Sequence, residues 1–305
     1  MEGPLRSFAA ALILASTLTA APAGLAARGA AEDDGRLVVG AVQFAASQEV
    51  YRSLPSFHRA VDRALDRVET EARRRGRPLD LVVFPEYTSA FLAFSRIPPE
   101  KRRAVQANPA AHRDLIRRAV ESTRRDVRVF WSETARRRGY AILAGTTLVV
   151  DGDGGFRNRA LLFSRRGELV HRQDKAFPGA PEAAVLDLET GDPSAVDAFR
   201  IDGRPIVLTI CRDTYHAVWE RVLPPADLWI DIKANELPYT RDYYDGALPS
   251  RLPSSPTDHG LTVSLAGEML GYRFSGPTEF LDDSERKSAT GPWEENGVLV
   301  VELPY

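Results

Sequence analysis

Three residues of reactive type stand directly behind apolar runs. Glu86 follows LVVF and a proline, Lys175 follows LVHRQD, and Cys211, the only cysteine of the chain, follows PIVLTI. Open α/β sheets build their sites from residues that emerge at strand ends. A cysteine hydrolase needs a thiol that can become a nucleophile, a base that takes and returns its proton, and a positive group beside the developing oxyanion. Glutamate can be the base and lysine the charge. Of the 40 basic residues only Lys101, Lys175, Lys233 and Lys287 are lysine, which makes each of them worth inspecting. Singly, the three residues have ordinary readings: a lone cysteine behind a strand is usually a small buried hydrophobe, Glu86 could open a helix, and a lysine is by default solvated. Their company points to chemistry. His216 invites a Cys–His pair with Cys211, but such partners meet in space, and the intervening DTY implies only local proximity.

The elements that would position these residues alternate along the chain. Runs rich in β-branched and apolar residues predict strands at 36–44, 79–84, 140–150, 159–163, 205–210 and 228–232. Phe57, Val61, Leu65, Val68 and Ala72 share one face of a helix predicted at 57–75, which Gly76 and Pro78 end. A second helix is predicted at 111–138, closed by Gly139, and a short one at 215–222. The turn signal DGDGG at 151–155 leads into the strand at 159–163, and RRGE at 165–168 predicts a hairpin that returns 169–173 antiparallel. Hairpins interrupting helix crossovers disfavour pure parallel winding and favour a layered α/β architecture with mixed sheets. The segment 236–259, rich in Pro, Ser, Asp and Tyr, reads as a long loop of the kind that shapes a site. Its Tyr239, Tyr243 and Tyr244 either line a substrate mouth or pack that loop. The Arg-rich stretches at 72–77 and 136–138 read as solvated helix ends.

Composition narrows the classes. The 305 residues carry a formal charge of -2, which argues against a protein that lives on nucleic-acid phosphates or an acidic membrane surface. One cysteine and five scattered histidines leave no internal disulfide and no metal-ligand spacing, so neither a metal nor an organic cofactor is expected. Residues 1–31 run from a basic start through a short apolar core to a small-residue stretch, the order of a secretory signal. The expectation is a signal at 1–31 and one catalytic domain at 32–305, periplasmic or secreted, with an anchor formed by an uncleaved leader as the alternative. No stable membrane span is expected in the mature chain.

From residue 36 onward the sequence resembles the nitrilase superfamily of carbon–nitrogen hydrolases. Gln43 in GAVQF is similar to the family's first-strand glutamine, Glu86 in FPE to its catalytic glutamate, Asn158 and Lys175 in FRNRALLFSRRGELVHRQDK to its asparagine-led hairpin and lysine, and Cys211 in LTICRD to its nucleophile. The resemblance implies a four-layer αββα sandwich with mixed sheets and a Glu86–Lys175–Cys211 triad. The backbone N–H of Arg212 would join Lys175 at the oxyanion, and a second glutamate would position substrate or lysine. Glu182 is the candidate for that role and Glu189 its competitor. Arg212 and Asp213 stand where nitrilases proper carry an aromatic residue and a glutamate, so amide or carbamoyl hydrolysis is implied rather than nitrile hydrolysis. Asp213 is expected to be structural, and Tyr215 replaces an arginine frequent in the family. The implied partner is a small-molecule amide, in a homo-oligomer such as the family often forms. Two rivals stand: an acyltransferase on the same scaffold, in which an amine resolves the thioester, and a catalytically silent scaffold protein.

Overall fold

Strand β1 (Leu37–Ala46) is buried along almost its whole length, and its alternate residues serve two different cores. The computed structural model describes residues 35–180, 182–236, 238–282, 285–293 and 295–304, so the leader at 1–31 lies outside the described residues. After β1 come α1 (Leu54–Arg74), β2 (Leu81–Val83), α2 (Leu92–Ser95), α3 (Pro99–Ala107), α4 (Arg113–Arg138), β3 (Ala141–Val150), β4 (Phe156–Phe163) and β5 (Leu169–Asp174). The second half holds β6 (Phe199–Ile201), β7 (Arg204–Ile210), α5 (Trp219–Val222), β8 (Leu228–Lys233), α6 (Arg241–Asp245), α7 (Leu248–Arg251) and β9 (His259–Met269). It closes with β10 (Tyr272–Phe274), β11 (Glu279–Asp282), β12 (Glu285–Ala289) and β13 (Gly297–Leu303).

The first part of β1 pairs with β2 in parallel and with β13 antiparallel, and β2–β3–β4–β5 extends that sheet through the expected hairpins. The last residues of β1, from Phe44, pair with β9, which continues through β8 and β7 to β6 as a second sheet. The strands' period of two sorts their side chains into layers. Leu37, Val39, Leu81, Val83, Leu143 and Leu162 meet Ile206, Leu208, Ile230 and Val263 between the sheets. The opposite faces of β1 and β2 (Val38, Phe44, Val82, Phe84) pack under the apolar stripes of α1 and α4. On the far side, Val207 and Trp229 turn outward onto Trp219, Leu248 and Leu252. Three cores separating four layers are the αββα sandwich with mixed sheets.

Several elements differ from expectation. The helix expected at 215–222 is a 3-10 turn, Cys211–Tyr215, followed by the single turn of α5, which Pro224 and Pro225 stop. The loop expected at 236–259 contains α6, capped by the Thr240 hydroxyl, and α7, with Pro249 in its first turn. Arg138 is not a solvated helix end: its side chain, 16% exposed, pairs with Asp62, Asp66 and Glu69 of α1 and clamps the two outer helices together.

β3 is irregular where it matters for the site. Its register against β4 shifts between Leu143 and Thr146, and Gly145 there has φ 64°. A Cβ on Gly145 would lie 1.9 Å from the carbonyl oxygen of Pro85, so only glycine lets the strand approach the turn that bears Glu86. Gly145→Ala should destabilise the protein by about 2 kcal/mol or more and lower Tm by about 4–8 °C in calorimetry; an unchanged Tm would show that the turn gives way at no cost.

Candidate active site

Glu86 lies in a turn that the fold pins from three sides. The Tyr87 N–H donates to the Thr146 hydroxyl at 2.8 Å, and the Ser89 N–H donates to the Thr146 carbonyl at 3.1 Å. The Trp131 indole of α4 donates to the Ser89 hydroxyl at 2.8 Å, and the Tyr51 hydroxyl donates to the Thr88 carbonyl at 2.8 Å. Tyr87 itself sits at φ 62°, a local strain these bonds hold in place. The Glu86 side chain is thereby fully buried.

Lys175 ends β5, where its N–H donates to the Asn158 carbonyl across the hairpin at 2.9 Å. Its ammonium is 3% exposed and lies between two carboxylates, donating to Glu86 Oε1 at 2.8 Å and to Glu182 Oε2 at 2.7 Å. Glu182 opens a short helical turn, Glu182–Leu186, and is held in place by the Tyr87 hydroxyl and the Gly179 N–H. Asn158 Nδ2 donates to both carboxylates, at 2.8 Å to Glu86 and 3.3 Å to Glu182. Glu189, the competitor for the second glutamate, is instead on the surface in an ion pair with Arg157 at 2.7 Å.

Cys211 follows β7 directly at φ 53°, a strained strand-to-helix turn that points its thiol into the site. Its carbonyl accepts from the Thr214 hydroxyl at 2.9 Å and from Lys233 Nζ at 3.2 Å. Beneath it Asp213 accepts from the N–H of Ile210 at 3.1 Å and of Phe177 at 2.9 Å, tying the nucleophile's turn to the segment after Lys175. The buried carboxyl of Asp213 is pushed up to about 7 by its burial, against the pull of Lys175 and of these backbone donors. Arg212 is exposed and lines the cavity, in the 3-10 turn that starts at Cys211. His216 is no partner for the thiol: its ring stacks on Phe177 at 3.8 Å.

The charges of the site act on one another. Burial raises Glu86 above its ordinary 4.5, with Lys175 opposing and Glu182 reinforcing the rise. For Lys175, burial works against the charge, but the facing carboxylates outweigh it and hold the ammonium well above its usual range. In Glu182 burial is outweighed by Lys175 and the carboxyl stays low. Burial, helped by the charge of Glu86, pushes the Cys211 thiol up to about 12. Glu86 Oε2 has no hydrogen-bond partner among the described residues.

Glu86, Lys175, Cys211, Glu182 and Arg212 thus all line one cavity, together with Tyr239 and Tyr243 from the segment after β8. Tyr244 instead stacks under Arg241. Gln43 lies apart: its amide bonds the carbonyls of Pro292 and Glu295 and fastens the C-terminal segment to β1. The residues missed by the sequence are Tyr87, Asn235 and Lys233. Asn235 Oδ1 is 3.9 Å from the thiol, and buried Lys233 pairs with Asp231 at 2.7 Å. Lys233 alone had a signal, the scarcity of lysine.

No family model matches the chain, and no curated protein matches it in sequence. Solved structures do. An amidase from Nesterenkonia sp. AN1, in a variant carrying the product of Michael addition of acrylamide at its active-site cysteine, is 19% identical, with a TM-score of 0.65 over 88% of this chain and 93% of that one. A second variant, described as an amidase from the nitrilase superfamily, is 20% identical with a TM-score of 0.63 over 88% and 92%. A third, in complex with butyramide, is 20% identical with a TM-score of 0.62 over 88% and 91%. The chain has the fold of the nitrilase-superfamily amidases.

The bonds to Asp213 carry a test. Asp213→Asn replaces one of the two accepting oxygens with an NH2 group that faces backbone N–H donors. It should cost about 1–3 kcal/mol and slow any turnover at Cys211. Calorimetry and rates that both match wild type would show that the turn does not depend on Asp213.

Proposed function

We propose that this protein is a carbon–nitrogen hydrolase of the amidase type, a member of the nitrilase superfamily working through a Cys211 thioester. The observation that carries the reading is the buried ammonium of Lys175, held between Glu86 and Glu182 in the cavity that contains the chain's only thiol. The fold shared with amidases supports it. Arg212 and Asp213 after the nucleophile favour amide over nitrile substrates.

A thiol whose pKa is near 12 holds its proton at neutral pH, so attack must be coupled to proton removal. Glu86 is the base beside it, with a carboxylate made more proton-hungry by burial. As Sγ bonds to the amide carbon, the thiol proton moves to Glu86 and the carbonyl π pair moves to oxygen. Lys175 Nζ and the Arg212 N–H are the donors assigned to that oxyanion. Collapse re-forms the carbonyl and breaks the C–N bond, with the proton of Glu86 passing to the departing nitrogen. Water then adds to the thioester as Glu86 takes its proton. The carboxylic acid leaves and the thiol recovers that proton. Glu182 acts on Lys175, fixing where its charge stands.

Ammonia release from a panel of primary amides tests the reading. Wild type turns over at least one amide, and Cys211→Ala and Lys175→Ala each lower kcat/KM by at least about 10^3-fold. Turnover that survives Cys211→Ala would sink the mechanism. The base acts deprotonated, so kcat/KM should climb with pH through the raised pKa of Glu86, placing the acidic limb above 4.5. A rate already at its plateau at pH 4.5 would remove Glu86 from the role of base.

A further inference from the structure

Resting on the amidase reading, the shape and chemistry of the cavity say more about which amide enters. Its volume is about 500 Å³. A group the size of water or a methylene occupies roughly 30 Å³, so an acetamide-sized substrate would leave most of this space empty. Much of the wall is apolar: Phe94 of α2, Ile97 just beyond it, Val105 of α3, Ile116 of α4, Leu148 of β3 and Phe274 of β10 line it, all of them buried.

The charged groups are gathered elsewhere. Glu86, Lys175 and Glu182 are committed to one another, while Arg212 and Glu236 are exposed. Among the described residues these five are the charged ones of the lining, and the apolar wall itself offers no charge. A substrate carrying a carboxylate or ammonium there would lose its hydration with no partner to replace it, which is costly. A neutral chain gains on entry instead.

We infer that the acyl part of the substrate is a long or bulky apolar chain, seated against the buried apolar side chains that α2, α3 and α4 contribute, and that the amine leaves past the exposed Arg212 and Glu236. The order of events favours this orientation. The amine departs first and must reach water, whereas the acyl group stays on Cys211 until water attacks. The buried wall therefore suits the group that remains, and the exposed residues suit the one that goes.

The test is a homologous series of primary amides from acetamide through butyramide and hexanamide to octanamide, with N-octylacetamide as the reversed control. Each buried methylene should raise kcat/KM about fourfold, so octanamide should exceed acetamide by about 4 × 10^3-fold and N-octylacetamide should show no such gain. Ala93→Leu, which adds bulk to the lining, should lower the octanamide-to-acetamide ratio at least about tenfold. Turnover that is flat or falls with chain length would overturn the inference and leave the amidase reading standing. Preference for N-octylacetamide would overturn the orientation. If no amide is turned over and no acyl adduct forms on Cys211 by intact mass, the amidase reading itself fails, and this inference with it.

Discussion

The side chain of Lys175 is almost wholly buried, and an ion so placed is tolerated only when opposite charge and hydrogen bonds replace its hydration. Glu86 and Glu182 do so, but two carboxylates around one ammonium leave an excess negative charge that needs donors of its own. Asn158, the Tyr87 hydroxyl and the Gly179 N–H supply them. These groups come from the turn after β2, from β4, from the end of β5 and from the segment that follows it. Removing any one partner would leave a buried charge uncompensated, so the elements that carry them are bound to one geometry. The bulge at Gly145 and the bonds from Trp131 and Tyr51 serve that geometry by holding the Glu86 turn against β3.

Cys211 belongs to the other sheet, and the inter-sheet core sets its distance from this cluster. Ile206, Leu208 and Ile210 face inward on β7, so the strand is anchored up to the residue before the nucleophile. Asp213 then joins the two halves directly, accepting from Ile210 on one side and Phe177 on the other. A second buried pair, Asp231–Lys233, holds the turn from below, with Lys233 donating to the Cys211 carbonyl and standing 5.0 Å from the Tyr215 ring. Lys233 of β8 thus sets a cation beside Tyr215 as well as beneath the turn.

What could be read from the sequence follows from how local each signal is. The strands before Glu86 and Cys211 are continuous apolar runs, because they are buried on both faces, and such runs stand out without any partner. The 165–168 turn declares its hairpin in the same way. Glu182 and Glu189 look alike in sequence, and only the turn after Gly179 brings one of them to Lys175 while Arg157 takes the other. β9 to β13 lack a strong local period and are fixed by pairing to β1, to β9 and, for β12, to β11, the partner of β13 lying more than 200 residues away. The short helices around 241–254 depend on one capping hydroxyl and two prolines, signals too small to outweigh the general look of a loop. Arg138 shows the same limit: nothing in its Arg-rich surroundings marks it as the arginine that faces α1.

The electrostatics of the site also bear on how a chain can keep a single free thiol. A cysteine activated by a lowered pKa is reactive toward oxidants and metals as well as toward substrate. Here the opposite holds, since burial and the neighbouring Glu86 keep the proton on sulfur. On the proposed mechanism the thiol keeps its proton until a carbonyl carbon lies against it and an oxyanion forms beside Lys175, when the proton passes to Glu86. Reactivity is then conditional on the substrate, and that condition is set by the same excess of negative charge that surrounds the buried lysine. Replacing Glu86 with a neutral residue should thus have two opposed effects on sulfur, making thiolate easier to form while removing the base that makes it useful.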